Sequence, residues 1–342
     1  MDDEGVTRHG PGILDFAPMP GRVLITGGSG FIGTNLVERF RTEADAVLSL
    51  DERPPQHPEH AALWHRVDPL DARQVEREFE EFAPTHVLHF GARTDLDGTR
   101  LLDYDLNLRG VTRVIEAVRR TPSIERVMFA SSRMVCRIDH RPSAPDEYSP
   151  PNPYGESKMV GELLVREARL ECPWLIVRPT SIWGPWFGVP YKTFFMSIAA
   201  GRYVNVRGQV VDKSFGYVGN TVHEVVRLLA APADQVTGRM FYLADYPPIN
   251  VGEMAEYIRG RIGAPPLRTV PRPVLEPLAK GGDVLKRLGW RNPPLTTFRL
   301  DNLVTEMVFD LSATREIAGD LPYTMQAGVD LTVDWLRARG EV

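Results

Sequence analysis

Tyr154 and Lys158, in the segment Tyr154-Gly155-Glu156-Ser157-Lys158, are the first residues in this chain whose types and spacing could do chemistry together. On a helix, residues four apart share one face. A phenol ionises near pH 10, so it serves as a base at neutral pH only beside a cation, which Lys158 supplies. Pro151 and Pro153 mark the start of that helix. Taken alone, the pair also fits an ordinary surface contact. Upstream, the run Arg126 to Ala130 reads as a strand that ends in Ser131-Ser132. A hydroxyl at the carboxyl end of a parallel strand points into the crevice where such sheets bind ligands. Tyr154, Lys158 and Ser132 therefore read as a proton-transfer trio.

A second constellation is Gly27-Gly28-Ser29-Gly30-Phe31-Ile32-Gly33, directly after the β-branched run Arg22 to Thr26 and at the head of an apolar, helix-spaced stretch, Phe31 to Phe40. Glycines at 28, 30 and 33 match the dinucleotide fingerprint, in which the bare backbone approaches a pyrophosphate and the helix N-terminus stabilises its charge. A tight turn is the plain alternative. Asp51 ends the next strand candidate, about 20 residues on, where a carboxylate bonds the adenine ribose hydroxyls and repels a 2′-phosphate. NAD is expected over NADP, although Arg53 is a guanidinium that could accept that phosphate. Gly27, Gly30, Phe31, Ile32, Gly33 and Asp51 are the expected cofactor contacts. Asp68 could bond the adenine amine or cap a helix beginning at Ala72.

Positioning these groups requires strands that alternate with helices. Ala46 to Leu50, His86 to Phe90, Arg126 to Ala130 and Leu175 to Val177 follow Arg22 to Thr26 as strand candidates. Helical stretches lie at Asn107 to Arg119 and about Tyr154 to Leu170. That alternation predicts an α/β fold, a Rossmann-type doubly wound parallel sheet. After Pro179 prolines and glycines become frequent, which predicts a smaller mixed α/β substrate lobe. The expected division is a flexible arm over 1–20, an NAD domain over 21–178 rejoined at about 214–240, and a lobe mainly within 179–342. The 342 residues are 43% hydrophobic and 25% charged with net charge −5, so a basic face for nucleic acid is not expected. No apolar run is long enough to span a membrane. With two cysteines, no zinc-ligand spacing and no leader-like start, the chain reads as metal-free and cytoplasmic.

With these segments in view, the chain resembles the extended short-chain dehydrogenases, specifically the NAD-dependent sugar epimerases and dehydratases. The matching residues are TGGSGFIG (26–33), Asp51, Asp68, HFGA (89–92), Asn107, ASSRMV (130–135), PYGESK (153–158) and RPTSIWGP (178–185). The resemblance implies that Tyr154 is the catalytic base and acid, that Lys158 activates it and holds the nicotinamide ribose, and that Ser132 bonds the substrate's reacting oxygen. Ala92 is implied at the cofactor, with Asn107 supporting the active-site lysine. Ser131 and Ser132 are implied at the sugar, and Asp95, in the loop Arg93 to Gly98 that follows a strand end and lines the same mouth, is a candidate sugar contact from its position. Lys213 and Arg299 stand where relatives place arginines on a substrate diphosphate; an exposed surface cation is the competing reading for both. A nucleotide-sugar substrate and a homodimer, built on the helices at Leu101 to Arg120 and Tyr154 to Leu170, are further implications.

Departures from the family pattern narrow the reaction. Dehydratases carry Asp-Glu after the catalytic Ser/Thr, where this chain has Arg133 and Met134; a 3,5-epimerase cysteine or a decarboxylase glutamate at 134 is missing as well. Epimerisation at C4 needs only Tyr154, Ser132 and NAD, and is the expected reaction. Ser181 replaces an asparagine common at the sugar. A dehydratase, a keto-sugar reductase or dehydrogenase, and a non-catalytic NAD sensor are the alternatives. Cys136 as a proton donor, and Asp95 or Asp97 as a base, are possible extra groups set against an inert thiol and a solvated loop. His89 reads as a core histidine bonded to backbone.

Overall fold

Val23, Leu24 and Ile25 are fully buried and send alternate side chains to opposite faces of one parallel sheet. The computed structural model describes residues 21–342 except 139, 141, 291, 292 and 294; the arm expected over 1–20 lies outside them. The main sheet comprises β1 (Arg22–Thr26), β2 (Ala46–Asp51), β3 (Trp64–Arg66), β4 (His86–His89), β5 (Arg126–Ala130), β6 (Trp174–Pro179) and β7 (Met240–Leu243), numbered within that sheet. Their order is β7-β6-β5-β4-β1-β2-β3, every neighbour parallel. The order reverses between β1 and β4, and at such a switch point a crevice opens at the carboxyl ends of the strands.

On one face α1 (Phe31–Phe40) and the helix Val218–Ala230 bury Leu36, Val37, Phe40, Val225 and Leu229 against Val23 and Ile25. On the other, α2 (Ala72–Phe82), α3 (Asp105–Arg120) and α4 (Pro153–Glu167) pack Phe79, Val111, Ile115 and Val165 against Leu24, Val87 and Val127. Trp183, Phe195, Met254, Ile258 and Val329 centre a third core beneath the C-terminal lobe. No helix among the described residues is long and apolar enough to cross a membrane.

Two strands go beyond those expected from sequence. β3 has only three residues, and two of them, His65 and Arg66, are exposed, so no hydrophobic pattern marks it. β7, Met-Phe-Tyr-Leu, is a four-residue buried run without alternation, which periodicity cannot separate from a helix segment. The strand expected at Leu175 to Val177 extends over Trp174–Pro179.

Just past β7, Asp245 is 5% exposed and accepts from the Tyr217 amide at 3.1 Å and from Asn220 Nδ2 at 2.8 Å, tying the helix Val218–Ala230 to the sheet edge. Burial pushes its carboxyl up from 3.8 to about 7. Glu224 beside it is raised as well, by burial and by Asp245. Between those two pH values the unfolded chain has released the Asp245 proton and the folded chain still holds it, so stability falls as pH rises. Asp245→Asn is expected to flatten the fall of Tm from about pH 4 to about pH 7. An unchanged slope would assign the effect to Glu224.

Candidate active site

The glycine turn between β1 and α1 is built so that side chains cannot enter it. Gly27 has φ +75°, and a Cβ there would lie 2.5 Å from the Gly91 amide nitrogen. A Cβ on Gly33 would lie 2.0 Å from the Gly27 carbonyl oxygen. Gly30 begins α1 without a side-chain cap, so the first-turn amides, Phe31 and Ile32 among them, are left for an anion. Asp51, at the end of β2, accepts from the Ser29 amide at 3.2 Å and the Arg53 amide at 3.0 Å, which fixes its carboxylate at the rim of the same turn. These features fit a dinucleotide: a bare cradle for the pyrophosphate and a carboxylate for the adenine ribose. The Arg53 guanidinium is 73% exposed and lies 3.8 Å from Asp51. Gly33→Ala is expected to lower NAD affinity at least about tenfold by prising α1 from the turn; wild-type affinity in calorimetry, from a folded variant, would contradict that.

Asp68 is exposed and accepts from the Leu70 amide. The cap of α2 is Asp71, which accepts from the amides of Arg73 and Gln74, so the capping role considered for Asp68 is corrected. His89 lies in the core as expected, but its partner is the Thr26 hydroxyl at 2.7 Å, not backbone. Burial and nearby Lys158 hold that imidazole neutral, down to about 3. Ala92 lies half-buried in the loop after β4, one residue past Gly91, which closes on the glycine turn.

Asn152 caps α4 by accepting from the Gly155 amide at 2.9 Å, with Pro153 at the first helical position. A Cβ on Gly155 would lie 2.1 Å from the Met134 carbonyl oxygen. Only glycine there lets the turn Arg133–Val135 press onto α4, and that contact brings Ser132 to Tyr154. Ser132, Tyr154 and Lys158 are each 8% exposed. Burial pushes the Tyr154 phenol up to about 12, while a hydrogen bond with Ser132 and the charge of Arg133 pull it down. Burial pushes Lys158 down to about 8, opposed by Glu162. Its Nζ donates 3.0 Å to the Ala130 carbonyl, one turn below the phenol on α4.

Several expected site residues already have partners within the protein. The Ser131 hydroxyl donates 2.6 Å to Glu162 inside the protein, because a fully buried Glu162–Arg178 ion pair occupies the space behind it. Asn107 accepts from the Arg93 amide at 2.7 Å and donates to the Arg93 carbonyl and the Ser157 hydroxyl, so its amide ties the loop after β4 to α4. Asp95 is paired with Arg93 at 2.8 Å, which holds its carboxyl below the usual carboxylate range, the reverse of what a base needs. Arg299, on the helix Thr297–Val304, is exposed and donates to the Pro293 carbonyl at 2.6 Å. Asp97 is exposed. Cys136 is buried with its thiol on the Glu147 carbonyl and pushed up by burial, which makes it a poor acid.

Lys213 is no surface cation. It is 6% exposed, donates to the Asn302 carbonyl, and burial with nearby Arg133 pushes it down to about 8. Around Tyr154 the structure adds residues that sequence does not single out: Tyr104, whose ring lies 5.9 Å from that of Tyr154, Tyr191 on the helix Tyr191–Ala199, and Arg133 itself. Arg133 reads in sequence only as a missing acid. The Glu162–Arg178 pair also bonds Tyr148, Tyr242 and the Pro145 carbonyl; Glu162, one turn after Lys158, was its only local sign.

A Rossmann sheet with a nucleotide cradle and a Ser-Tyr-Lys trio at its switch point defines an oxidoreductase-type site. The NAD dependent epimerase/dehydratase family model matches residues 23–244, and the chain belongs to that family. It is an NAD-dependent enzyme of that class. The N-acetyl-alpha-D-glucosaminyl-diphospho-ditrans,octacis-undecaprenol 4-epimerase of Escherichia coli O157:H7 is 25% identical, over 93% of this chain and 96% of that protein. A 3 beta-hydroxysteroid dehydrogenase/Delta 5→4-isomerase of Mycobacterium tuberculosis is 28% identical, over 76% of this chain and 80% of its own. Among solved structures, UDP-glucose 4-epimerase with UDP-glucose from Thermotoga maritima has TM-score 0.71 at 17% identity, covering 94% of this chain and 100% of that one; this is a likeness of fold.

Proposed function

We propose that the chain is a nucleotide-sugar epimerase acting at C4. The observation that carries this reading is the composition of the site: Ser132 bonds Tyr154, Lys158 follows one turn later on α4, and the residues after Ser132 are Arg133 and Met134, which offer no second acid–base pair for dehydration. Gly27, Gly30, Phe31, Ile32, Gly33 and Asp51 would hold NAD. When bound, NAD would supply the acceptor for the carbon-bound hydrogen. Ser132 orients the sugar hydroxyl toward Tyr154, which takes its proton as the carbonyl forms and returns a proton when the carbonyl is reduced on its other face. Burial keeps the phenol protonated, so ionisation depends on positive charge nearby. Lys158 is the nearest such group on α4, held by the Ala130 carbonyl.

The Escherichia coli relative supports sugar epimerisation. The hydroxysteroid dehydrogenase relative favours a second reading, net oxidation with cofactor exchange. Incubation with NAD and a panel of nucleotide sugars in deuterated water, followed by proton NMR, separates them. A new C4 epimer that keeps all its carbon-bound protons supports the epimerase. NADH accumulating with a ketone supports the dehydrogenase, and loss of water or deuterium at C5 overturns the C4 epimerase. A homodimer through α3 and α4 is also proposed; Leu102, at the head of α3, is 71% exposed and Leu163, on α4, is 38% exposed.

A further inference from the structure

Arg133 is 8% exposed, and among the described residues no carboxylate, carbonyl or hydroxyl accepts a hydrogen bond from its guanidinium. The groups close enough to act on it electrostatically are Tyr154, Tyr191 and Tyr242, and it acts in turn on Lys213. None of these is a carboxylate. Two buried cations thus act on one another, and no carboxylate among the described residues is bonded to either. Arg178, close by, shows how this protein treats an arginine that serves the fold. That residue is fully buried, bonds both oxygens of Glu162 at 2.7 and 2.8 Å, and also bonds Tyr242 and the Pro145 carbonyl. Glu162 is the carboxylate of this region and is committed to Arg178.

Leaving a guanidinium inside a protein without an anion is costly, and a fold gains nothing from it. The Arg133 nitrogens are not among the sealed, partnerless polar atoms of the protein, so they keep an opening. Ser132 immediately precedes Arg133, and Tyr154 is near enough to act on it electrostatically, which puts that opening on the side of the cleft where the reacting hydroxyl would sit. The counter-ion is then a group the ligand brings.

We propose that Arg133, backed by Lys213, is a specificity-determining anion receptor in the reacting-sugar pocket, and that the substrate carries an anionic oxygen group there. Two sources share that chemistry: the carboxylate of an acidic sugar and the phosphate nearest the sugar. The position of Arg133 next to Ser132 and within electrostatic reach of Tyr154 assigns it to the carboxylate, so the substrate class is a nucleotide-linked acidic sugar. This assignment rests on the nucleotide-sugar reading above. A planar guanidinium matches a carboxylate in two parallel bonds, which an ammonium cannot do.

The test is binding to the NAD-loaded protein by calorimetry, with UDP-glucuronate, UDP-glucose and UDP as probes, for wild type, Arg133→Met and Arg133→Lys. Wild type is expected to bind UDP-glucuronate at least about tenfold more tightly than UDP-glucose, the difference of one charge-assisted bond. Arg133→Met removes that preference and shifts UDP-glucose affinity less than about threefold; Arg133→Lys restores part of it. Equal weakening of all three probes in Arg133→Met would assign the arginine to the diphosphate and overturn the carboxylate. No change with any probe would overturn the receptor altogether. Inorganic phosphate provides the arm that does not need a nucleotide: it should raise the Tm of wild type and not of Arg133→Met. If phosphate does so while no UDP probe binds wild type, the anion receptor stands and the nucleotide-sugar reading falls. A purely structural arginine would instead lower the Tm of Arg133→Met in the absence of ligand, whereas removal of an unpaired buried charge leaves it equal or higher.

Discussion

Tyr154→Phe is expected to lower kcat by about a thousandfold, the scale of losing a positioned proton-transfer group, while NAD affinity stays close to wild type. On the proposed reading, the phenol is the group through which a proton passes between the sugar hydroxyl and the protein. Phenylalanine keeps the ring that packs 5.9 Å from Tyr104 and loses the hydroxyl that meets Ser132. Fold and cofactor cradle should therefore survive, since the cradle is made by β1, α1 and Asp51 on the other side of the switch point. Steady-state rates together with an NAD titration check both halves. A variant with more than about a tenth of wild-type kcat would remove Tyr154 from the proton transfer.

Arg178→Met carries the largest expected effect on stability, a loss of about 3 to 5 kcal/mol in urea unfolding. The methionine leaves Glu162, whose side chain is 1% exposed, with the hydroxyls of Ser131 and Tyr148 and no cation. An uncompensated buried charge is far more costly than the absence of the whole pair. Adding Glu162→Gln should therefore restore a large part of the loss, and a double variant no more stable than the single one would contradict this. The pair also holds the Ser131 hydroxyl back from the cleft and lies one helical turn from Lys158, so its loss is expected to reduce kcat in the folded fraction too.

Much of the sheet and the cofactor cradle was legible because local chemistry dictates them. The run Arg22–Thr26, the glycine turn, and the helix Phe31–Phe40 lie in the structure within the bounds that periodicity and glycine spacing predict. β3 and β7 were not legible: one is too exposed and the other too short to carry a period. The trio was legible as spacing, and the structure packs Ser132 and Tyr154 together through Gly155. What spacing cannot state is where a hydroxyl or amide is spent. Ser131 and Ser132 are adjacent, yet one bonds Glu162 and the other faces Tyr154, a consequence of strand alternation and of an arginine on β6 that lies far away in sequence. Asn107 matches a motif, and its bonds to Arg93 and Ser157 show it holding the loop after β4 to α4. Arg133 illustrates the same limit most fully: its residue type excludes an acid, while the fact that no described carboxylate pairs with it exists only in three dimensions.

The most direct measurement uses the nucleotide sugar that turns over in the NMR panel, synthesised with deuterium at C4 and incubated with the NAD-loaded enzyme in ordinary water. One site that oxidises and re-reduces the same carbon should return the label, so the C4 epimer is expected to carry essentially all of its deuterium at C4. Product in which C4 carries solvent hydrogen would contradict transient oxidation at that carbon and place the chemistry of Tyr154 elsewhere on the sugar.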